Sequence, residues 1–395
     1  MKNMNLIKSN KNTNINGEKI IKICSNTAYV NADAPVHILA QELTESKVPA
    51  LGVLSNTGKL IGIIISRTLF ELLAKPYGRD LLFRKTASEV MIKPRTFIYD
   101  EYISDVHEHL KEDFFFDEIQ HYALVDSKKN FKGIFSSKDL LLHIAAVQHQ
   151  ETLITEKIQK KIIPPFLSYE TNSFSLVSAS VMSQRIGGDY YHVKRIDKNR
   201  VFFCLCDISG KGMSAAILTA VLAGFMETIT FINDLLSIVQ NLNNLIMESC
   251  SLEKYATGVF CILNEDDNTL EYCDMGHGLF YEVKNKRIRQ IQENSDNVPA
   301  GVMQLDRIIS KKITMDRDSI YVILSDGITE QRNENSEVFS LDTIAAAVEK
   351  NASDLKRMKI DFLESFFLFK KNTIQHDDAS MLFFCIKKSP LEEPR

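Results

Sequence analysis

No apolar run in this chain reaches the roughly 18 to 20 residues that a membrane-spanning helix needs; the longest candidate, Met213 to Met226, is shorter and contains Ser214 and Thr219. No positive field is present either. Forty-seven basic against 51 acidic residues leave a net charge of −4, which argues against nucleic acid or anionic lipid as a partner. No C-x-x-C spacing occurs among the seven cysteines (24, 204, 206, 250, 261, 273 and 385), so zinc and dithiol redox chemistry lack their ligand pattern. No cysteine is followed six residues later by arginine, which excludes the anion-cradling loop of a cysteine phosphatase. Residues 1–16 are rich in Asn and Lys and lack the apolar stretch of a secretory signal. The expectation is a soluble, cytoplasmic protein with reduced cysteines, no membrane span and no nucleic-acid partner.

What is present is an ordinary globular balance. With 395 residues, 45% hydrophobic and 25% charged, two or three domains are expected. After a tail over 1–22, the segments 50–62 and 121–133 superpose without a gap, about 71 residues apart. Each reads as strand, polar turn, strand, with an amphipathic helix before (36–46, 103–111) and a helix after (68–74, 138–146). The repeat resembles the tandem CBS (Bateman) module, over 23–88 and 89–145. Its phosphate-side signature stands in the second copy as Gly133-Ile-Phe-Ser136-Ser137-Lys138-Asp139. The resemblance implies an adenine nucleotide site at Ser136 and Asp139. In the first copy, Gly62-Ile-Ile-Ile-Ser66-Arg67-Thr68-Leu69 reads as one extra Ile, with Leu69 at the acid's place. A packing scaffold without ligand remains the alternative. From Leu140 an apolar stripe continues through Ile144, Val147, Ile154, Ile158 and Ile162 to Pro164-Pro165. It predicts a helical linker over 140–163, either a coiled-coil seam of a homodimer or a face packed on its own C-terminal domain.

After Pro165, acids stand at the ends of runs apolar on both faces and so buried on both. Val201 to Cys206 delivers Asp207, Ile320 to Leu324 precedes Asp326, and Asp377-Asp378 precede Met381 to Ile386. Asp189 follows Gly187-Gly188, where backbone approach is free. Buried carboxylates need compensation. No matching Lys or Arg is evident within these segments, so hard divalent cations with oxygen ligands, Mg²⁺ or Mn²⁺, are the expected neutralisers. Taken singly, Asp326-Gly327 and Asp377-Asp378 are ordinary turn signals.

The order of these segments resembles the SpoIIE/RsbU-type branch of the PP2C (PPM) metal-dependent serine/threonine phosphatases. The matching residues are Lys157 to Pro165, Ile186-Gly-Gly-Asp-Tyr-Tyr191, Cys206-Asp-Ile-Ser-Gly-Lys-Gly-Met-Ser-Ala-Ala216, Ala256 to Phe260, Asp274-Met-Gly-His277, Pro299 to Val302, Leu324-Ser-Asp-Gly-Ile-Thr-Glu330 and Asp377-Asp-Ala-Ser380. The resemblance implies an α+β chain: a PP2C-like αββα sandwich over 164–395, preceded by the CBS pair and the helical linker. It further implies two divalent cations. Asp207 would bridge them, Asp189 and the backbone carbonyl of Ile208 would hold one, and Asp326 and Asp377 the other. Water acidified between the ions would be the nucleophile, with the amides around Gly210 and Gly212 meeting phosphoryl charge. The implied substrate is a phosphoserine or phosphothreonine protein, in this branch an anti-sigma factor antagonist of the STAS type. His192, Asp274 and Ser380 depart from the usual pattern, while all four acids stand. Two rivals are weighed. Gly210-x-Gly212-x-x-Ala215 after a strand is reminiscent of a dinucleotide fingerprint, but no strand-end acid follows about 20 residues on. A non-catalytic, nucleotide-sensing scaffold that binds a phosphoprotein is the second. His277 is read as bonding a turn rather than donating a proton, and Arg185 as a minor phosphate-binding candidate.

Overall fold

In the computed structural model the described residues are 17–111, 118–231, 234–250, 254–292, 295–351 and 354–387. The chain forms two compact units, Met1–Glu151 and Thr152–Arg395. Among the described residues no helix is long and apolar enough to cross a membrane.

The first unit is built twice. Strand Ala50–Leu54 pairs antiparallel with Leu60–Ile65, and His121–Val125 pairs antiparallel with Phe131–Ser136. Helix Val36–Ser46 lays Val36, Leu39 and Leu43 on Val53 and Ile64, and Ile103–Leu110 lays Ile103, Val106 and Leu110 on Leu124 and Phe135. Each copy also holds a three-residue strand, Tyr29–Asn31 or Thr96–Ile98, parallel to the next one. Such strands are too short to show a periodicity. Ala50, Ile63, Ala123 and Ile134 form a small core shared by the two copies.

Three expectations for this unit change. Residues 17–22 do not belong to a tail: Ile20–Ile23 form a 3₁₀ turn whose Ile20 and Ile23 are buried with Phe97 and Leu140, and the remainder of the expected tail lies outside the described residues. The first copy carries no extra residue. Helices Ser66–Leu73 and Ser137–Ile162 start at equivalent positions, so Leu69 matches Leu140 as a buried packing residue and Thr68 stands where Asp139 does. The apolar stripe is not one open seam either. Leu140 and Val147 are buried, whereas Ile154 and Ile158 are both 53% exposed, because Leu140 serves the second repeat's own core.

The helix Ser137–Ile162 is 26 residues long, and its last turns belong to the second unit, which starts at 152 rather than 164. Two antiparallel sheets follow. One has five strands in the order Lys311–Thr314, Thr269–Met275, Ala256–Asn264, Arg200–Ile208, Tyr190–Arg195; the other has six, in the order Arg287–Gln290, Phe280–Lys284, Ile320–Leu324, Ala379–Ile386, Phe174–Val181, Phe166–Glu170. Helices Met213–Met226 and Leu235–Cys250 cover the outer face of the first, and Asp342–Lys350 and Leu355–Lys370 that of the second. The middle strands are therefore apolar on both faces. In Ala379–Ile386, Leu382 and Phe384 face the inter-sheet core, while Met381 and Phe383 face Phe362 and Phe366 of the outer helix.

Between the sheets Phe384 lies 4.7 Å from Phe203 and 5.6 Å from Tyr321, centroid to centroid. Interiors packed this densely close poorly around a lost ring. Phe384→Ala is expected to cost about 3–5 kcal/mol, read as a lowered urea midpoint in far-UV circular dichroism. The buried cysteines Cys204, Cys206, Cys261 and Cys273 are unpaired and act here as small hydrophobes.

Candidate active site

Three of the four expected acids meet at one end of the sandwich. A cleft of about 310 Å³ is lined by Asp207, Asp326 and Asp377, together with Ile208, Gly210, Lys211 and His277. Asp207 is the penultimate residue of strand Arg200–Ile208. The chain then turns through Gly210 and Gly212, both at φ +82°, a conformation that glycine adopts without strain, and enters helix Met213–Met226. Gly210 lines the cleft; Gly212 is not among its walls. Asp326 opens the short helix Asp326–Thr329 after strand Ile320–Leu324. Asp377 stands two residues before strand Ala379–Ile386.

Asp189 lies deeper, 1% exposed. Its loop is pressed against the cleft strand: Ile208 N donates to Gly188 O at 3.3 Å, and a Cβ on Gly188 would come within 2.7 Å of the Ile208 carbonyl oxygen. Glycine is required there by that approach, and it sets the carbonyl expected to share an ion beside the acid expected to share it.

The electrostatics are those of acids forced together. Burial first, then the charges of Asp326, Asp377 and Asp378, push Asp207 up to about 7. Burial and Asp207 hold Asp189 well above the usual carboxylate range. Burial and Asp377 raise Asp326. Asp189 Oδ2 and Asp326 Oδ1 are buried and have no hydrogen-bond partner among the described residues. Oxygen-only ligands with orphaned atoms fit hard divalent cations. No point among the described residues is ringed by three carboxylate, imidazole or thiolate groups. Mg²⁺ retains most of its waters and takes only one or two carboxylates, so the donor set fits without such a ring.

The neutralising charge that sequence reasoning missed is Lys211. Its Nζ pairs with Asp377 Oδ2 at 3.1 Å and donates to the His376 carbonyl. The signal was present, four residues after Asp207, but a turn lysine reaching the segment before a strand, 165 residues away, leaves no local pattern. Asp377 and Asp378 separate clearly: the Asp377 side chain is 44% exposed at the cleft, whereas Asp378 is 2% exposed and accepts from Ser183 N and Gly188 N, both at 2.7 Å. Asp378 is thus a structural acid that fastens the Asp189 loop.

His277 lines the cleft but is spoken for. Its Nε2 lies 2.7 Å from the Leu324 carbonyl, to which it donates, and its Nδ1 3.3 Å from Thr257 Oγ1. Burial lowers its pKa, and both ring partners lie on strands, Leu324 ending Ile320–Leu324 and Thr257 in Ala256–Asn264, so the ring ties two strands rather than a turn. Asp274, the departure from the usual motif, accepts from the backbone N–H of His277 at 2.7 Å and of Gly278 at 2.9 Å. Arg185 pairs with Glu156 at 3.1 Å and does not line the cleft.

In the first unit, Ser136 and Asp139 are engaged with each other. Asp139 Oδ2 accepts from Ser136 N at 2.8 Å and Oγ at 2.7 Å, and Ser136 Oγ accepts from Asp139 N at 3.2 Å. That is a reciprocal cap on helix Ser137–Ile162. A larger cavity of about 590 Å³ holds none of the four acids; its charges pair internally, Glu170 with Lys356 at 2.8 Å and with Lys387 at 3.1 Å.

Residues 197–387 match the family model for Stage II sporulation protein E (SpoIIE). The chain is 22% identical over 333 residues to phosphoserine phosphatase RsbU of Bacillus subtilis (strain 168), covering 81% of this chain and 94% of that protein. Among solved structures, the SiaA-PP2C domain of Pseudomonas aeruginosa aligns with a TM-score of 0.50 and 14% identity, over 61% of this chain and 99% of that one. The RsbU and RsbW domains of a Mycobacterium tuberculosis protein align with a TM-score of 0.49 and 16% identity, over 57% of this chain and 63% of that one. The second unit has a PP2C-like fold, its residues 197–387 are similar to the SpoIIE family, and these similarities support a protein serine/threonine phosphatase.

Proposed function

We propose that this chain is a divalent-metal-dependent protein serine/threonine phosphatase whose second unit hydrolyses phosphoserine or phosphothreonine on a regulatory protein. The observation that carries the reading is the cleft of Asp207, Asp326 and Asp377 over the buried Asp189, with carboxylate oxygens left unpartnered. Asp207 would be shared between two cations, Asp189 and the Ile208 carbonyl would serve one, and Asp326 and Asp377 the other. When bound, the cations supply Lewis acidity and lower the pKa of water. The chain's own part is to hold the acids at fixed spacing on rigid strand ends, to present the turn around Gly210 to the phosphoryl group, and to keep the Lys211 ammonium at the cleft, where it offsets negative charge.

The finer reading follows the family resemblance: the substrate is a phosphorylated STAS-type anti-sigma factor antagonist. The first unit, as a CBS pair, controls the activity through the long helix, with an adenine nucleotide as ligand. The mutual cap of Ser136 and Asp139 must open, or leave the second carboxylate oxygen free, for them to take part. A homodimer through the exposed Ile154 and Ile158 completes the proposal.

The test is phosphate release from a phosphoserine peptide by the full chain, with Mn²⁺ or with EDTA. Mn²⁺-dependent release is expected, with Asp326→Asn slower by on the order of 10²–10³-fold. Equal release in EDTA, or by Asp326→Asn, defeats the two-metal reading.

A further inference from the structure

The chain passes from the five-stranded to the six-stranded sheet over residues 276–279, between strands Thr269–Met275 and Phe280–Lys284. Both glycines of that crossing stand at positive φ, Gly276 at +70° and Gly278 at +72°, and Gly276 is a wall of the acid cleft. Such a backbone turns sharply but does not hold its own angle, because glycine restricts its dihedrals least.

Two side chains fix the crossing. Asp274, 2% exposed, accepts the N–H groups of His277 and Gly278 from inside the bend. The His277 ring then spans the sheets. The Leu324 carbonyl can only accept, so Nε2 carries the hydrogen and donates to it at 2.7 Å, which leaves Nδ1 to accept from the Thr257 hydroxyl at 3.3 Å. Thr257 is the register partner of Asp207 on the neighbouring strand. Leu324 stands two residues before Asp326, and its own N–H donates to Leu279 O at 3.1 Å. One ring therefore links the strand beside the acid of the first sheet to the strand that delivers the acid of the second. The acids call for such a link, because the charges of Asp326 and Asp377 oppose that of Asp207 and press the sheet ends apart.

We infer that His277 is a positioning residue, the brace that sets the separation between Asp207 and Asp326 and so the affinity for the divalent cation that these two acids and Asp377 would share. This deepens the phosphatase reading and rests on it only for the cation; the brace itself stands on the hydrogen bonds. Groups that orient a metal's ligands change its affinity by about 10–100-fold when lost. The cation expected beside Asp189 is served by a loop that Asp378 secures, and it should be affected less.

The experiment uses the full chain and His277→Leu, which removes both ring bonds, alongside Thr257→Val, which removes one and keeps the side chain's shape. Hydrogen–deuterium exchange of the metal-free proteins is read over 276–280 and 320–326, Mn²⁺ binding by calorimetry, and phosphate release from a phosphoserine peptide across Mn²⁺ concentrations. His277→Leu is expected to speed exchange in both segments at least about tenfold, with strand Phe174–Val181 unchanged, and to weaken one of two Mn²⁺ ions about tenfold and the other no more than about twofold. Thr257→Val should shift the exchange and that same ion about two- to threefold. Turnover lost at low Mn²⁺ should return at saturating Mn²⁺ with KM for the peptide unchanged. Unchanged exchange in a folded His277→Leu overturns the inference. So does faster exchange with both ions bound as tightly as in the wild type, or with both weakened alike. Turnover that stays low with both ions bound would make His277 a proton donor and overturns it as well. If His277→Leu does not fold, Thr257→Val decides by the same readings. A wild type that binds no Mn²⁺ removes the two-metal reading and the cation half of the inference with it, whereas a wild type that binds two ions and a His277→Leu that binds both equally well defeat the inference alone.

Discussion

Asp207→Asn is expected to abolish metal-dependent phosphate release and, in the same protein, to raise the melting temperature of the metal-free form at pH 7.5. The two effects share one cause. Asp207 sits in a cleft where burial and the charges of Asp326 and Asp377 oppose its ionisation and push it up to about 7, against 3.8 for the free side chain. Between those values the native state holds a proton that the unfolded chain has released. The stabilising contribution is therefore complete below about pH 4, falls as pH rises, and is lost above about 7. Three pH units at about 1.4 kcal/mol each bound the effect near 4 kcal/mol, and the Lys211 ammonium reduces it. Asparagine carries no charge at any pH and escapes the penalty. A gain of about 2 kcal/mol would raise the melting temperature by about 4–8 °C in EDTA at pH 7.5, with no difference from wild type near pH 4. Mn²⁺ should stabilise the wild type by mass action and leave Asp207→Asn nearly unmoved. A variant that melts at or below the wild-type temperature at pH 7.5 would show that the acids are not strained against one another.

The same competition between local pattern and distant contact decides how much of this protein could be read from its sequence. The middle strands were legible because a layer sandwiched between a sheet and helices is buried on both faces, and Val201 to Cys206, Ile320 to Leu324 and Met381 to Ile386 therefore run apolar without alternation. The acids at their ends were legible because sheet pairing, here Ile323 with Leu382 and Leu324 with Met381, brings strand ends together. The clamps around them were not. Gln159 meets Gly187 across 28 positions and Asp378 meets Gly188 across 190, and neither bond imposes a period on neighbouring residues. Glu18 shows the same limit: in a segment that composition assigns to a tail, it is 5% exposed and pairs with His143 at 2.9 Å and with Lys22.

Adjacent aspartates give the sharpest test of these roles, because Asp377 and Asp378 are indistinguishable by type and opposite by environment. Asp377→Asn removes a cleft carboxylate that is 44% exposed and, among the described residues, paired with Lys211 and the neighbouring backbone. Stability should change by no more than about 0.5 kcal/mol, while the Mn²⁺ concentration for half-maximal phosphate release rises at least about tenfold. Asp378→Asn inverts this. The buried carboxylate accepts two amide bonds, from Ser183 and Gly188, each worth about 1.5–3 kcal/mol to a charged acceptor. An asparagine must turn its N–H₂ toward one of those N–H groups, leaving a buried donor facing a donor. The expected loss is about 3–5 kcal/mol, a fall of about 10 °C or more in melting temperature. Activity should fall too, because the Gly188 amide that positions Asp189 is released. The discriminating observation is the metal-free melting temperature: if Asp377→Asn were the destabilised variant and Asp378→Asn the one that melts normally but needs more Mn²⁺, the assignment of ligand and support would be reversed.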